Sequence, residues 1–327
     1  MNTSRKLEPA GSGTVYSDFP QIFENALLDH FANQSGATLL ENKLTLLGEQ
    51  YSLFRSLLNG FSGSGRDSSR QAGCLKAVAE CFERAAVAES FTGPLSHVPD
   101  WRRSSNGFAV HFDSTKAGES AIQEALERHI LQITYFKEGW AGYSLIDKTF
   151  DSQRDMTFTR IESKYSCNGF RAGIVMATSP KFSGVSMGYC CDKEKDFESS
   201  PRWKHAHFEA ADKVEPMLAA LPALLLNELD AIPRAAYDWL LGNPIDFKFA
   251  ETLVICKLPA VSIIVQSFNL AKKWELNFPF VLSFASGDEV LPLLIPGKIS
   301  NGDRIAISRL LVRFGLASDI PERNPII

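Results

Sequence analysis

The sequence predicts an α+β fold, in which helices and strands are mixed without a regular alternation. Residues 21–33, 70–90 and about 114–135 carry apolar side chains at helical spacing. Short strand-like runs lie between these ranges and after them. Because no strict β-α-β rhythm connects these elements, the pattern favours α+β over a doubly wound sheet.

Composition places the chain among ordinary globular proteins. It has 327 residues, of which 45% are hydrophobic and 22% are charged. This length suffices for one large domain or two small ones with a sizeable core. The net charge of −4 gives no indication of a nucleic-acid partner or an anionic membrane partner.

Targeting and redox signals point to a cytoplasmic protein. The opening stretch MNTSRKLEPAGSGT has no apolar run typical of a signal peptide. The longest apolar stretches are short or interrupted by lysine or proline, so we expect no transmembrane helix. The six cysteines form no C-x-x-C pair, which argues against a zinc site and a disulfide framework.

The first ninety residues divide into five predicted segments. Residues 1–20 form a polar arm, and 21–33 form a helix. Residues 43–58 alternate loosely and contain turn residues, which indicates one or two strands. The stretch NGFSGSGRDSS, residues 59–69, is interpreted as a glycine/serine loop, and 70–90 follows as a helix with almost no polar face.

A loop, a strand and a capped helix come next. Residues 92–107 are loop-like, and FAVHF, residues 108–112, is a strand. Asp113 or Ser114 can cap the next helix, which runs to about Tyr135.

The remainder of the chain is predicted as strands around one proline-broken helix, residues 204–229. The expected strands cover 158–163, 171–179, 184–191, 252–258, 262–268, 280–285 and 290–295. The tail IPERNPII cannot be helical through its prolines.

Two predicted helices carry the same E-x-x-E-R cluster. The first contains Glu80, Glu83 and Arg84, and the second contains Glu124, Glu127 and Arg128. On a helix the three side chains of each cluster share one face. The simplest interpretation is an intrahelical ion pair on a solvated face, worth a few tenths of a kcal/mol.

The apolar flanks of both clusters favour a second interpretation. Unpaired buried carboxylates cost several kcal/mol each, and facing carboxylate pairs repel unless a cation lies between them. Hard oxygen ligands suit Mg²⁺, and arginine suits phosphate oxygens. The glycine/serine loop before the first helix could cradle phosphate, although it can equally be a plain flexible loop and is not a Walker A sequence. The residues therefore suggest a Mg²⁺-nucleotide site built from two acidic helices.

Three stretches together resemble the YcaO family of ATP-dependent enzymes that activate backbone amides. Residues 62–86 are similar to the family's glycine-rich loop followed by a helix with S-x-x-x-E-x-x-E-R. Residues 104–131 are similar to its S-T-N-G-x-A stretch and second E-x-x-E-R helix. Residues 291–327 are similar to its terminal V-V-P-G strand and proline-rich tail, and 205–212 match its third acidic helix more weakly.

The resemblance implies a fold and a set of site residues. It implies a YcaO-like α+β fold of mixed sheets, with helices framing an ATP/Mg site, over residues 43–327 after an N-terminal arm and helix over 1–42. The implied metal ligands are Glu80, Glu83, Glu124 and Glu127. The implied nucleotide-binding residues are Ser62, Ser64, Arg66, Glu80, Arg84, Glu124 and Arg128. The implied catalytic residues are Arg84, Arg128 and Glu209.

The resemblance also implies an activity and partners. Family members put the γ-phosphate of ATP on a peptide amide oxygen, and most relevant here is the cyclodehydration of Cys, Ser or Thr to azolines in a ribosomally made precursor peptide. A separate leader-binding partner protein and a homodimer are further expectations. The alternative is a non-catalytic YcaO-like subunit that binds peptide or partner.

Departures from the family pattern keep that alternative open. Lys76 stands where the motif has serine, and Lys116 stands near a place where many members have another acid. The family's P-x-P-x-P ending is replaced by a tail with Pro321 and Pro325. Retention of every E-x-x-E-R glutamate and arginine favours the enzyme, because a decayed site has little reason to keep buried charges.

Several other polar residues have simpler interpretations. His205 and His207 form an H-x-H that we expect to be surface helix residues rather than metal ligands. His111 and His129 flank the second acidic helix, where a hydrogen-bonded structural role is favoured over proton transfer.

Overall fold

A computed structural model describes residues 21–103, 105–180, 182–211, 248–292 and 301–316. The predicted polar arm, the proline tail and the part of the 204–229 helix beyond residue 211 lie outside these ranges. The helices are α1 (Gln21–Ala32), α2 (Arg70–Ser90), α3 (Ser114–Glu138), α4 (202–211) and α5 (Asn301–Arg313). The first five strands are β1 (Thr38–Leu46), β2 (Glu49–Leu58), β3 (Phe61–Asp67), β4 (Phe108–His111) and β5 (Tyr143–Asp151). The others are β6 (Met156–Cys167), β7 (Phe170–Ser179), β8 (Phe182–Lys193), β9 (Cys256–Lys257), β10 (Ile264–Asn269) and β11 (Val281–Ser286).

The strands of the described ranges form three sheets. Their orders are β1-β2-β3, β10-β11-β4 and β5-β6-β7-β8, with β9 pairing in parallel with β6. The consecutive pairs from β1 to β3 and from β5 to β8 are antiparallel, as is β11 with β4. The α+β class is confirmed.

The chain divides into two compact units. Unit 1 contains the described residues up to Pro99, together with Gly107–Ile122 and Val265–Ala285. Unit 2 contains Asp100–Asn106, Gln123–Ile264 and the described residues from Ser286 onwards. The predicted division into 1–42 and 43–327 stays a prediction.

An aromatic cluster forms the core of unit 1. Phe82 of α2 is fully buried, and its ring meets Phe31, Trp274 and Phe280 edge-on at centroid distances of 6.1, 5.0 and 6.1 Å. Such edge-on contacts add to the free energy of burial. The helix α1 therefore packs in the same core as α2.

The prediction that residues 59–69 form a loop is wrong, because most of this stretch is strand β3. Only Asn59 and Gly60 form the turn, with φ values of 51° and 83°. The other glycines allow the strand to approach α2 closely. A Cβ on Gly63 would lie 2.1 Å from the Ala77 carbonyl oxygen, and one on Gly65 would lie 2.0 Å from the Gly73 carbonyl oxygen.

Other predicted elements differ in extent. The helices at 21–33, 70–90 and 114–135 are confirmed, with α3 ending at Glu138. The strand at 252–258 shortens to Cys256–Lys257, and residues 290–292 lie outside any strand. The strand β5 and the helix α5 were not predicted.

The six cysteines differ in their exposure to solvent. All six cysteines are free, and Cys256 is exposed whereas the other five are buried. Burial raises the pKa of Cys74 to about 11 and that of Cys167 to about 11.

Candidate functional site

The first E-x-x-E-R cluster lies on α2, in unit 1. Ser69 caps this helix by accepting the Ala72 N–H. The apolar residues Ala77, Val78 and Phe82 are fully buried, which fixes the face that α2 turns to the core. The polar side chains of the cluster consequently lie along the border of that packed face.

Three side chains of α2 bind the open edge of strand β3. Glu80 Oε2 accepts the Ser64 N–H at 2.7 Å and the Ser64 hydroxyl at 3.1 Å. Arg84 Nη1 donates to the Ser62 carbonyl at 3.0 Å, and Lys76 Nζ donates to the Arg66 carbonyl at 3.3 Å.

The spacing of these contacts follows from backbone geometry. Four helical residues rise about 6 Å, and two strand residues span about 6.7 Å. Side chains at every fourth position of α2 therefore meet every second residue of β3. The structure thus brings Ser62, Ser64, Glu80 and Arg84 together, and connects Arg66 through Lys76.

The two glutamates of this cluster contact different strands. Glu80 Oε1 also pairs with Arg84 Nη2 at 2.5 Å, at the border with solvent. Glu83 Oε2 accepts the Val110 N–H of β4 at 3.2 Å. Main-chain donors therefore orient both carboxylates.

The two lysines that depart from the family pattern have distinct environments. Lys76 pairs with Asp67 at 2.8 Å, and only 11% and 4% of these side chains are exposed. Burial lowers the pKa of Lys76 despite the opposing effect of Asp67. Lys116 lies in the first turn of α3, where its main-chain N–H donates to Asp113 Oδ1 at 3.2 Å.

The second cluster lies on α3, in unit 2, and is more buried. The exposed fraction is 13% for the Glu127 side chain and 15% for Arg128, with Glu127 Oε1 3.5 Å from Arg128 Nη2. The guanidinium carbon of Arg128 lies 4.0 Å from the centre of the Tyr189 ring. This distance is typical of a cation–π contact.

Glu209 joins this second cluster from α4. Its Oε2 accepts the main-chain N–H of Tyr189 on β8 at 3.1 Å. Gly188 allows α4 to pack closely against β8, because a Cβ atom at this position would lie 1.9 Å from the Ala206 carbonyl oxygen.

The charge balance around Arg128 is strongly acidic. Burial disfavours its charged form, but the combined effect of Glu127, Tyr189, Glu209 and Glu124 outweighs burial and raises the pKa of Arg128. The Nε atom of Arg128 is buried, and no described residue accepts a hydrogen bond from it. A buried donor of this kind suits an oxyanion ligand.

Histidines near the two acidic helices have structural contacts. The His129 ring is fully buried, and its Nδ1 accepts the Leu291 N–H at 2.9 Å. Burial lowers the pKa of His129 to about 4. His111 Nδ1 accepts the Asp113 N–H at 2.8 Å, and His207 Nδ1 donates to the Trp203 carbonyl at 2.8 Å.

The residues present fit Mg²⁺ and a nucleotide in their chemistry. Across the described ranges, no three His, Cys, Asp or Glu residues form a group that could hold a metal by themselves. Mg²⁺ bound with a nucleotide needs only one or two carboxylates, since phosphates and waters supply the other ligands. The pair Glu124 and Glu127 meets this requirement by residue type, and Arg128 meets the need for a phosphate donor.

Comparison with known proteins identifies the fold. No protein-family model matches the sequence, and no curated protein matches it. YcaO from Methanopyrus kandleri, solved with AMPPCP and Mg²⁺ bound, aligns with a TM-score of 0.50 over 86% of this chain and 94% of that chain, at 13% identity. The fold is the YcaO fold.

Two further solved structures are similar. A chain of the E. coli microcin synthetase McbBCD complex with pro-MccB17 bound aligns with a TM-score of 0.49 and 10% identity, over 76% of this chain and 87% of that chain. A heterocyclase in complex with substrate and cofactor aligns with a TM-score of 0.46 and 11% identity, over 80% of this chain and 52% of that chain.

The described helices were compared with the length and hydrophobicity of membrane-spanning helices. None of those in the described ranges combines the length and apolar character needed to span a bilayer.

Proposed function

We propose that this chain is an ATP- and Mg²⁺-dependent enzyme that modifies a ribosomally made precursor peptide. In the proposed reaction the Cys, Ser or Thr side chain adds to the preceding backbone carbonyl and releases its proton. The former amide oxygen then takes the γ-phosphate of ATP, which leaves as ADP, and loss of inorganic phosphate and of the amide N–H proton yields the azoline. The YcaO fold and the two E-x-x-E-R helices support the proposal, and the similar M. kandleri structure holds AMPPCP and Mg²⁺. The observation that carries it is that Arg128 lies largely buried among acidic residues, with a buried Nε–H for which no described residue is the hydrogen-bond acceptor.

The proposed roles follow the chemistry of each side chain. The proposed Mg²⁺ ligands are the glutamate pair of each cluster, Glu80 with Glu83 on α2 and Glu124 with Glu127 on α3, and phosphates and waters would complete the coordination of each ion. The nucleotide phosphates would be contacted by Ser62, Ser64, Arg66, Arg84 and Arg128. When bound, the metal ion would neutralise phosphate charge, while ATP would supply the phosphoryl group.

The two arginines are prepared for this role in different ways. Arg84 is half exposed, and Glu80 and the Ser62 carbonyl orient it toward the edge of β3. Arg128 is largely withdrawn from water, where a charge-assisted hydrogen bond to an oxyanion is stronger. The main-chain N–H of Tyr189 orients Glu209, which we propose as the third acidic residue of the catalytic set.

The proposed partners come from the sequence resemblance. They are the precursor peptide and a separate protein that binds its leader, and a homodimer is the proposed oligomeric state. We propose a cytoplasmic location for this reaction, because it uses ATP.

A second candidate function is a non-catalytic YcaO-like subunit, and Lys76 favours it. The ammonium group of Lys76 binds Asp67 and the Arg66 carbonyl, so a positively charged side chain of the protein itself holds β3 against α2. A subunit that had lost nucleotide binding could stabilise this strand in the same way.

Calorimetric titration of Mg-ATP tests both candidates. We expect the parent chain to bind only when Mg²⁺ is present, and Glu80→Gln and Glu127→Gln to bind at least about tenfold more weakly. Glu119→Gln is the matched control, because Glu119 is an exposed glutamate on α3.

The outcomes separate the two candidates. If the parent does not bind but Lys76→Ser does, the non-catalytic subunit is supported and Lys76 explains the loss. If neither binds, the proposed nucleotide site is wrong.

A further inference from the structure

Tyr189 is a residue of unit 2 that the sequence motifs do not single out. It lies on β8, opposite Ile174 of β7, and only 9% of it is exposed. Among the described strands, β8 is the last in its sheet. Its backbone can therefore bind groups beyond the sheet.

Tyr189 contacts two residues of the proposed site by different parts of its structure. Its ring lies under the guanidinium of Arg128, with the ring centre 4.0 Å from the guanidinium carbon. Its main-chain N–H donates to Glu209 Oε2 at 3.1 Å. Tyr189 of β8 thus orients both Arg128 of α3 and Glu209 of α4.

An aromatic ring restrains an arginine in a specific way. A guanidinium that stacks on a ring face keeps its N–H groups in a plane that points past the ring, toward acceptors at its border. The buried Nε–H of Arg128 has no acceptor among the described residues. A buried N–H group without an acceptor lowers the stability of the folded protein. A ligand oxygen that accepted its hydrogen bond would remove this free-energy penalty.

We propose that Tyr189 is a positioning residue, whose ring holds Arg128 so that its Nε–H meets a phosphate oxygen of the bound nucleotide. This inference rests on the proposed function, since it assumes that Arg128 binds phosphate. It adds a residue and a means of orientation that the E-x-x-E-R motif does not contain.

Substitutions at Tyr189 test the inference through ligand affinity. The Mg²⁺ complexes of ATP and of inorganic tripolyphosphate are titrated into the parent, Tyr189→Leu and Tyr189→Phe. We expect Tyr189→Leu to weaken both ligands about tenfold, because it removes the ring face, and Tyr189→Phe to restore most of that affinity.

A matched control removes another ring beneath a buried arginine of unit 2. Phe197 is fully buried, and its ring centre lies 4.8 Å from the Arg171 guanidinium carbon. Phe197→Leu should lower the melting temperature as much as Tyr189→Leu does, and should leave both affinities within about twofold. An equal loss of affinity in both leucine variants would reduce Tyr189 to a general structural role and overturn the inference.

A double-mutant cycle with Arg128→Lys shows whether Tyr189 acts through Arg128. In the lysine background, Tyr189→Leu should cause little further loss. A full additional tenfold loss would overturn the inference.

The proposed function and the inference fail differently. If the parent binds neither ligand, the proposed function is wrong and the inference falls with it. If the parent binds and Tyr189→Leu binds equally well, only the inference is wrong. Should Tyr189→Leu not fold, Tyr189→Met is titrated in its place, because it also removes the ring face, and affinities equal to those of the parent would overturn the inference.

Discussion

The two E-x-x-E-R clusters share a sequence pattern but have different surroundings. On α2, the Glu80–Arg84 pair is 29% and 48% exposed and rests against the edge of a strand. On α3, the side chains of Glu127 and Arg128 are 13% and 15% exposed, and a ring and further acids surround them. The same E-x-x-E-R motif therefore forms two different clusters. Main-chain groups of a strand orient the cluster on α2, whereas charge interactions in a poorly solvated environment hold the cluster on α3.

The largest expected effect is on stability when the arginine of each cluster is replaced. Arg128→Met should lower the free energy of unfolding by about 3 kcal/mol, because it leaves the largely buried carboxylates around it without their counter-charge. Arg84→Met should lower it by less than about 1 kcal/mol, because its partner is partly solvated. Urea denaturation of both variants measures this difference. Equal losses would show that the environments do not differ as described.

An effect of similar size should appear as a dependence of stability on pH. The unfolded chain binds a proton at His129 near pH 6.5, whereas the folded chain resists protonation until about pH 4. The unfolded state therefore binds more protons in this window, and the free energy of unfolding falls by about 3 kcal/mol as the pH falls through it.

Denaturation in metal-free buffer between pH 7 and pH 4 isolates this contribution. His129→Gln should flatten the pH dependence by about that amount, whereas His97→Gln, on an exposed loop, should leave it as in the parent. A parent curve that is already flat at acid pH would contradict the buried, neutral imidazole next to the α3 cluster.

The smallest expected effect concerns how closely β3 lies on α2. Gly65→Ala should destabilise the protein by about 2 kcal/mol, because its Cβ would lie 2.0 Å from the Gly73 carbonyl oxygen. Gly93→Ala is the control, since its Cβ would lie 3.4 Å from the Glu89 carbonyl oxygen, an ordinary van der Waals distance. Thermal unfolding compares the two. If Gly65→Ala melts with the parent, the edge contacts of Glu80 do not depend on that close approach.

Sequence patterns predicted the helices better than the strands. The apolar spacing of α1, α2 and α3 reports a buried stripe, which is a local property of each helix. The stretch after Gly60 was misinterpreted because glycine and serine are common in loops, whereas Gly63 and Gly65 serve a contact with a later helix. Asn59-Gly60 is itself a hairpin turn signal, and using it would have ended the loop after two residues.

The candidate site was predictable in part for the same reason. Residues such as Glu80 and Arg128 belong to an E-x-x-E-R motif that occurs on two helices, so they could be identified from the sequence alone. Tyr189 could not be, since its role depends on β8 lying beside α3 in space. Lys76 was visible as a departure from a pattern, but its partner Asp67 becomes evident only when β3 is known to be a strand.

The unequal burial of the cysteines offers a practical opportunity for biophysical work. A maleimide dye should react with Cys256 and spare the five buried thiols, so the native chain carries a single-site label without engineering. A fluorophore there would be attached to β9 itself, in unit 2, and outside the residues proposed to bind nucleotide. Such a label would allow single-molecule and anisotropy experiments on the unmodified sequence, in which capture of a peptide or a partner protein is followed by the tumbling of the dye.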